Sequence, residues 1–132
     1  MKKAVLLLSG GLDSAANLAL AKDFKVDLRI EKTLTIDYGQ LSAAQEIESA
    51  SKFSAHFGIE HLVWKLSGFS EKINEVSALF GVHAMPEFRN NNRDLDELSV
   101  TQETAKAVWV PNRNGVFISL AAAVAEGHKL DA

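Results

Sequence analysis

The sequence predicts an α/β domain in which a parallel β-sheet is flanked by helices, and three observations predict it. Ala4-Val5-Leu6-Leu7-Leu8 is an unbroken apolar run without period-two alternation, the pattern of a parallel strand covered on both faces. Apolar runs and helical periodicities then follow in the order strand, helix, strand, helix, strand, which suits a parallel sheet with right-handed crossovers. The glycine pair Gly10-Gly11 supplies the tight turn between the first strand and the first helix.

The elements follow in chain order. Leu12 to Lys22 is rich in Ala and Leu, and Asp13 and Ser14 suit a helix N-terminus. Leu34-Thr35-Ile36 has strand character, and Tyr38-Gly39-Gln40 turns the chain into a helix over Leu41 to Phe57. There Ala43, Ile47, Ala50, Phe53 and Phe57 fall at helical spacing, and Gly58 closes the helix as its C-terminal cap. His61-Leu62-Val63-Trp64 is the third strand.

Regularity fades from Ser67 to Pro111. Phe69 to Phe80 suits a short helix, whereas Gly81 to Thr101 contains Pro86 and Asn90-Asn91-Asn92 and reads as a functional or a disordered excursion. Val108-Trp109-Val110 regains strand character, Pro111-Asn112-Arg113-Asn114 turns, and Gly115 to Glu126 forms a helix that is apolar nearly all round. Such a helix is expected to be buried, and a subunit interface would bury it, so a homodimer is expected. Gly127 is expected to cap it, and His128-Lys129-Leu130-Asp131 resembles the approach to a further strand. Residues 1–132 are therefore expected to form one domain, truncated on its C-terminal side or with its sheet completed elsewhere.

Composition narrows the chemistry. Hydrophobic residues make up 47% and charged ones 23%, as in soluble globular proteins. A net charge of -3 leaves no basic surplus to neutralise a run of phosphates, which argues against nucleic acid as a partner. The absence of cysteine excludes disulfides and a thiolate zinc site, and His56, His61, His83 and His128 show no metal-ligand spacing, so they read as surface or packing residues. No apolar stretch approaches the roughly 20 residues of a membrane helix. The apolar run after Met1 breaks too early for a signal peptide, and a cytoplasmic location without a membrane partner is expected.

Ser9-Gly10-Gly11-Leu12-Asp13-Ser14 carries the chemistry. After a buried strand, two glycines let the backbone approach a ligand closely, and the following helix directs unpaired N–H groups and its positive dipole end at the same spot. Ser9 and Ser14 add hydroxyl donors, so the loop suits a phosphate or pyrophosphate. Asp13 would repel phosphates unless Mg²⁺ lies between them, or else it caps the helix; both roles stay open. The plainer alternative for the whole segment is an ordinary strand–helix turn. It lacks the Gly-Lys-Ser/Thr of a Walker A loop, the G-x-G-x-x-G dinucleotide spacing and a G-x-S-x-G elbow.

The string SGGLDS resembles the PP-loop of the ATP-pyrophosphatase superfamily, whose members cleave ATP between its α- and β-phosphates. Three further blocks are similar to the 7-cyano-7-deazaguanine synthase family: Ile36-Asp37-Tyr38-Gly39-Gln40, Gln45-Glu46, and Val110-Pro111-Asn112-Arg113-Asn114 leading into Phe117-Ile118-Ser119-Leu120-Ala121. The resemblance runs from Ala4 to Asp131 and is loose from Ser67 to Ala107. It implies a Rossmann-like, adenine nucleotide alpha hydrolase-like fold. It also implies conversion of 7-carboxy-7-deazaguanine and ammonia to the nitrile through an activated carboxyl group, with ATP and Mg²⁺ as cofactors.

Under that resemblance Ser9 to Ser14 hold the departing pyrophosphate. Arg113 places positive charge on the α-phosphoryl oxygens, and Arg113 and Asp13 are the catalytic candidates. Asp37, Tyr38, Gln40 and Asn114 are candidates for contacting nucleotide or substrate at the carboxyl edge of the sheet. Arg113 also reads as a surface arginine, Tyr38 and Gln40 as plain turn residues, and Asp37 as the polar end of a strand or a second carboxylate near Mg²⁺. Arg89 or Arg93 and the asparagine run belong to a substrate loop or to a solvated one.

Two departures bear on the acceptor. Family members carry Arg-His after Tyr-Gly-Gln, where this chain has Leu41-Ser42. They also continue into a four-cysteine zinc site, which has no counterpart in this chain. The alternatives are a related enzyme adenylating another acceptor, or a non-catalytic ATP- or AMP-binding module. A tRNA-modifying PP-loop enzyme fits the acidic balance poorly.

Overall fold

The structure is a computed structural model and describes residues 1–23, 27–73 and 110–132. In chain order these residues form β1 (Lys2–Leu7), α1 (Leu12–Asp23), β2 (Leu28–Asp37), α2 (Ala43–His56), β3 (Glu60–Lys65), α3 (Phe69–Ile73) and α4 (Arg113–Gly127). They fall into two compact units. One comprises Met1–Asp37, Ser42–Leu66 and Asn112–Ala132, and the other Tyr38–Leu41 with Ser67–Pro111. The expected strand at Val108-Trp109-Val110 lies mostly outside the described residues, and Val110 itself is buried but not in a strand. Outside them too lie Gly81 to Thr101, the rest of the expected Phe69 to Phe80 helix, and His83.

In the first unit the three strands form a parallel sheet in the order β1-β2-β3. This is the α/β fold with crossover helices that the sequence predicts. β2 is the covered strand. Its residues Thr33, Leu34, Thr35 and Ile36 are all buried, and because successive side chains alternate sides, both faces of the sheet are covered there. The core gathers Ala4 of β1, Leu8 just after it, Leu18 of α1, Ile30 of β2, Ala50 of α2, and Ile59.

Both long helices of this unit that follow the first crossover end in the same way. After α2, Gly58 adopts φ 65° and donates its N–H to Ala55 O at 3.1 Å, while Ile59 N–H reaches Ser54 O at 2.9 Å. These two bonds satisfy helix-end carbonyls, and the buried Ile59 anchors the turn. After α4 the left-handed residue is Lys129, at φ 56°, and not the expected Gly127, which remains helical. Lys129 N–H bonds Glu126 O at 3.0 Å and Leu130 N–H bonds Ala125 O at 2.8 Å. Two such bonds hold a lysine in a conformation that glycine would adopt at lower cost.

The same turn delivers the chain to the edge of β1 not taken by β2. Ala132 N–H donates to Lys3 O at 3.1 Å and Val5 N–H donates to Ala132 O at 2.8 Å, the bonding pattern of a parallel pair centred on Ala4. No strand forms over His128 to Ala132, where these two bonds tie Ala132 to the β1 backbone. Within the single chain α4 is buried only in part. Val124 and Ala125 are its buried residues, and Ile118 is 63% exposed. The helix packs on β1 along one side, and its far side is apolar largely through alanines, which add little apolar area to the surface.

Among the described residues, buried side-chain polar atoms are paired with one exception. Thr33 Oγ1 and Ser54 Oγ share a hydrogen bond of 2.7 Å, and Ser54 Oγ also donates to Ala50 O at 2.8 Å. His61 Nδ1 lies 3.4 Å from both hydroxyls, and its Nε2 is buried without a hydrogen-bond partner. Burial therefore holds the His61 pKa below its ordinary value of about 6.5. The unfolded chain takes up a proton that the folded chain resists, so stability is full above the unfolded pKa and falls as the pH drops through it. Urea unfolding between pH 7.5 and 5.5 should show this loss in the wild-type chain and a shallower one in His61→Gln; equal slopes would remove His61 as its source.

Candidate anion-binding loop

The loop grows out of a fixed strand end. Leu8 is fully buried, its N–H donates to Leu34 O at 2.9 Å, and its carbonyl accepts the Thr35 hydroxyl at 2.5 Å. The backbone therefore leaves the sheet from a point tied twice to β2. Gly10 then adopts φ 74°, a left-handed conformation in which an L side chain is strained. A Cβ at this position would also lie 2.7 Å from Ser49 Cβ and 2.9 Å from both Ala50 N and Glu46 O. Conformation and the proximity of α2 both demand glycine. Gly11 is under neither demand, since its added Cβ would meet Ser9 Oγ at an ordinary 3.5 Å.

Hydroxyls close the loop from within. Ser14 Oγ donates to Gly11 O at 2.9 Å, Ser9 Oγ and Ser14 Oγ lie 3.2 Å apart, and Gly11 N–H points at Ser9 Oγ over 3.4 Å. Ala15 N–H makes the first α-helical bond, to Gly11 O at 3.0 Å. The amides of Leu12, Asp13 and Ser14 precede it in the first turn, where a helix offers no acceptor, and the helix dipole adds positive potential there. Such an arrangement favours an anion. Leu12 is 86% exposed beside the exposed Asp13.

A cavity of about 350 Å³ opens against the loop, lined by Ser9, Gly10, Gly11, Gln45, Glu46 and Ser49. The structure thus brings together Ser9, Gly10, Gly11 and Ser14, as the sequence predicts, and adds a wall from α2. Gln45 and Glu46 stood out in sequence only as part of a block, and Ser49 not at all. Residues 45, 46 and 49 share a helix face by spacing, but three polar residues on a helix ordinarily mean a solvated face.

The other candidates sit elsewhere in the chain. Asp37 ends β2 at the carboxyl edge of the sheet, the edge from which the loop also leaves, and its carbonyl accepts Leu66 N–H at 2.7 Å. In the second unit Tyr38 and Gln40 are buried, and Gln40 Oε1 accepts Tyr38 N–H at 3.0 Å. The Tyr38 ring meets Phe69 edge to face, with centroids 6.2 Å apart. Arg113 and Asn114 occupy the first turn of α4, which begins two residues earlier than the sequence suggests, and Arg113 Nε donates to Asn114 Oδ1 at 3.4 Å. Arg89, Arg93 and the asparagine run lie outside the described residues. Among the described residues no three His, Cys, Asp or Glu side chains gather to hold a metal ion, and no helix is long and apolar enough to cross a membrane.

Comparison with known proteins places this chain among relatives. The family model described as "Queuosine biosynthesis protein QueC" matches residues 3–132. A 7-cyano-7-deazaguanine synthase of Desulforudis audaxviator is 46% identical over 124 residues, covering 94% of this chain and 53% of the relative. Those of Methanosarcina mazei and Bdellovibrio bacteriovorus are each 42% identical, covering 98% and 99% of this chain and 54% of each relative. The chain spans about half the length of the curated relatives it matches. No solved structure matches significantly.

The two glycines should respond differently to substitution. Gly10→Ala adds left-handed strain to overlap with α2 and should cost roughly 2–5 kcal/mol in denaturant unfolding. Gly11→Ala should cost under about 1 kcal/mol, since an alanine that suits its backbone conformation is tolerated. Equal costs would contradict the proximity of α2 to Gly10.

Proposed function

The chain belongs to the queuosine biosynthesis protein QueC family, and from that premise we propose that it holds the nucleotide site of an enzyme that activates a carboxyl group with ATP. The substrates in this proposal are 7-carboxy-7-deazaguanine and ammonia, and the product is 7-cyano-7-deazaguanine. The observation that carries it is the loop itself. A left-handed glycine, two facing hydroxyls and a helix N-terminus converge on one spot at the carboxyl edge of a parallel sheet.

In this proposal a substrate carboxylate oxygen attacks the α-phosphorus of ATP, and the bond to the bridging oxygen of pyrophosphate breaks. An acyl-adenylate forms and pyrophosphate leaves. Ammonia then attacks the acyl carbon and AMP departs, leaving a primary amide; attack of the amide oxygen on a second ATP releases pyrophosphate, and loss of that oxygen on AMP with the two nitrogen protons gives the nitrile. Positioning and charge stabilisation supply most of the rate in such transfers. The amides of the first turn of α1, with the Ser9 and Ser14 hydroxyls, hold the leaving pyrophosphate as its charge grows. Arg113 balances charge on the α-phosphoryl oxygens, and Asp37, Tyr38, Gln40 and Asn114 contact nucleotide or deazaguanine. Mg²⁺, when bound with the nucleotide, would add positive charge between the phosphates, and the exposed Asp13 carboxylate fits as one contact for it.

A related enzyme acting on another acceptor is the second reading, and one observation favours it. Ser42 Oγ donates to Glu46 Oε1 at 2.5 Å and Leu41 is 64% exposed, so the two positions after Gln40 present a hydroxyl already engaged by a carboxylate and an apolar side chain. Neither offers the positive charge that the resemblance implies there.

Incubating the full-length protein with Mg-ATP, ammonia and 7-carboxy-7-deazaguanine should yield AMP, pyrophosphate and the nitrile. AMP release only with a different carboxylic acid would favour the second reading, and none of the three products would sink both. Ser14→Ala and Asp13→Ala should each weaken ATP binding about tenfold while leaving the fold intact, as expected for loss of one hydrogen bond or one ion-mediated contact. Unchanged calorimetric affinity in both variants would return the segment to an ordinary turn.

A further inference from the structure

Ser49 bonds differently from Ser54 and Ser119, two other helical serines. Ser54 Oγ donates to Ala50 O at 2.8 Å and Ser119 Oγ donates to Gly115 O at 3.0 Å, both the local bond from a helical hydroxyl to the carbonyl four residues back. Ser49 Oγ donates instead to Gly10 O at 3.0 Å, 39 residues away in sequence. The acceptor is the first carbonyl after the left-handed turn, at the rim of the cavity.

The carbonyl of Gly10 and the N–H of Gly11 belong to one planar, trans peptide unit, so they point in opposite directions. A Gly-Gly peptide is the least restrained unit in a chain and can flip with little steric penalty. Flipped, this one would turn a carbonyl oxygen toward the hydroxyls of Ser9 and Ser14, where an anion would be repelled. Held as observed, its oxygen faces α2 and its N–H faces Ser9 Oγ. The bond to Ser9 Oγ is long, at 3.4 Å, and leaves that N–H weakly engaged, whereas the bond from Ser49 is of ordinary length.

We infer that Ser49 is a positioning residue for the loop: its hydroxyl fixes the Gly10–Gly11 peptide so that an N–H, and not a C=O, faces a bound pyrophosphate. This rests on the reading of the loop as a pyrophosphate cradle. It makes α2 part of the phosphate site without direct contact to the ligand.

Ser49→Ala removes the hydroxyl at a helical position where alanine is the best helix former, so folding is retained. Ser54→Ala is the control, since it disturbs the buried packing of the same helix without touching the loop. In the intact protein, calorimetric titration with inorganic pyrophosphate and with Mg-ATP should show about tenfold weaker binding for Ser49→Ala, the loss of one ordinary hydrogen bond's worth of positioning. Ser54→Ala should lower the melting temperature and keep both affinities within about twofold of wild type. The Gly11 amide resonance should shift or broaden in ligand-free Ser49→Ala and stay in place in Ser54→Ala. Wild-type affinity in Ser49→Ala, or equal weakening in Ser54→Ala, would overturn the inference alone. A wild-type protein that binds neither probe would overturn the cradle reading and the inference with it.

Discussion

The absence of a side chain at position 10 is the constraint on which the first unit's arrangement depends. α2 approaches the loop so closely that a single carbon on Gly10 would overlap Ser49, Ala50 and Glu46 together. That approach lets a helix from the second crossover line a cavity rooted in the first. It also sets the depth of the turn. With Leu8 tied to β2 on one side and α2 abutting Gly10 on the other, the backbone between them has one path to the start of α1. A helix N-terminus becomes an anion site only when the turn before it brings hydroxyls and amides to the same point.

The fold was legible because its signals are local and repeated. The unbroken Ala4 to Leu8 run marked a covered parallel strand, and the apolar spacing from Ala43 to Phe57 marked α2 to within two residues at either end. Gly58 marked the end of that helix because the left-handed cap and the glycine coincide. The same rule misled at Gly127. There the cap geometry needs a left-handed residue two positions later, and two backbone bonds impose it on Lys129. The length of β2 was underestimated, because Leu28 to Thr33 mixes charges with apolar residues and only pairing with both neighbours makes it a strand.

The site was half legible, for a related reason. Ser9 to Ser14 is contiguous, so stereochemistry and resemblance both act on one short string. The α2 wall is assembled from a distant segment, and nothing in Gln45, Glu46 or Ser49 distinguishes a residue facing a loop from one facing water. Helical serines commonly bond their own helix, as Ser54 and Ser119 do, and only the tertiary proximity of Gly10 gives Ser49 another acceptor. The residues after Asp37 show the opposite case. Tyr38 and Gln40 stood out in sequence, and within their unit they form a closed turn in which a side-chain amide takes the place of a backbone acceptor.

The polar groups of the first unit divide by what they face. Thr33 and Ser54 are buried and bonded to each other, and the half-buried His61 leans on both. This triplet ties β2, α2 and β3 together, and in an interior of low dielectric its hydroxyls leave no unpaired group. Five residues earlier on α2, Ser49 faces Gly10 at the cavity and bonds a carbonyl of the loop. The same helix is therefore fastened to the sheet by one serine and to the loop by another, with Ala50, fully buried, between them. Each serine acts at its own level: the Thr33–Ser54 pair holds α2 against the sheet, and Ser49 alone reaches the Gly10–Gly11 peptide. The Ser49 bond gives the loop a fixed peptide, and a fixed peptide suits an anion site because preformed donors avoid the entropy of ordering a loop at the moment of binding.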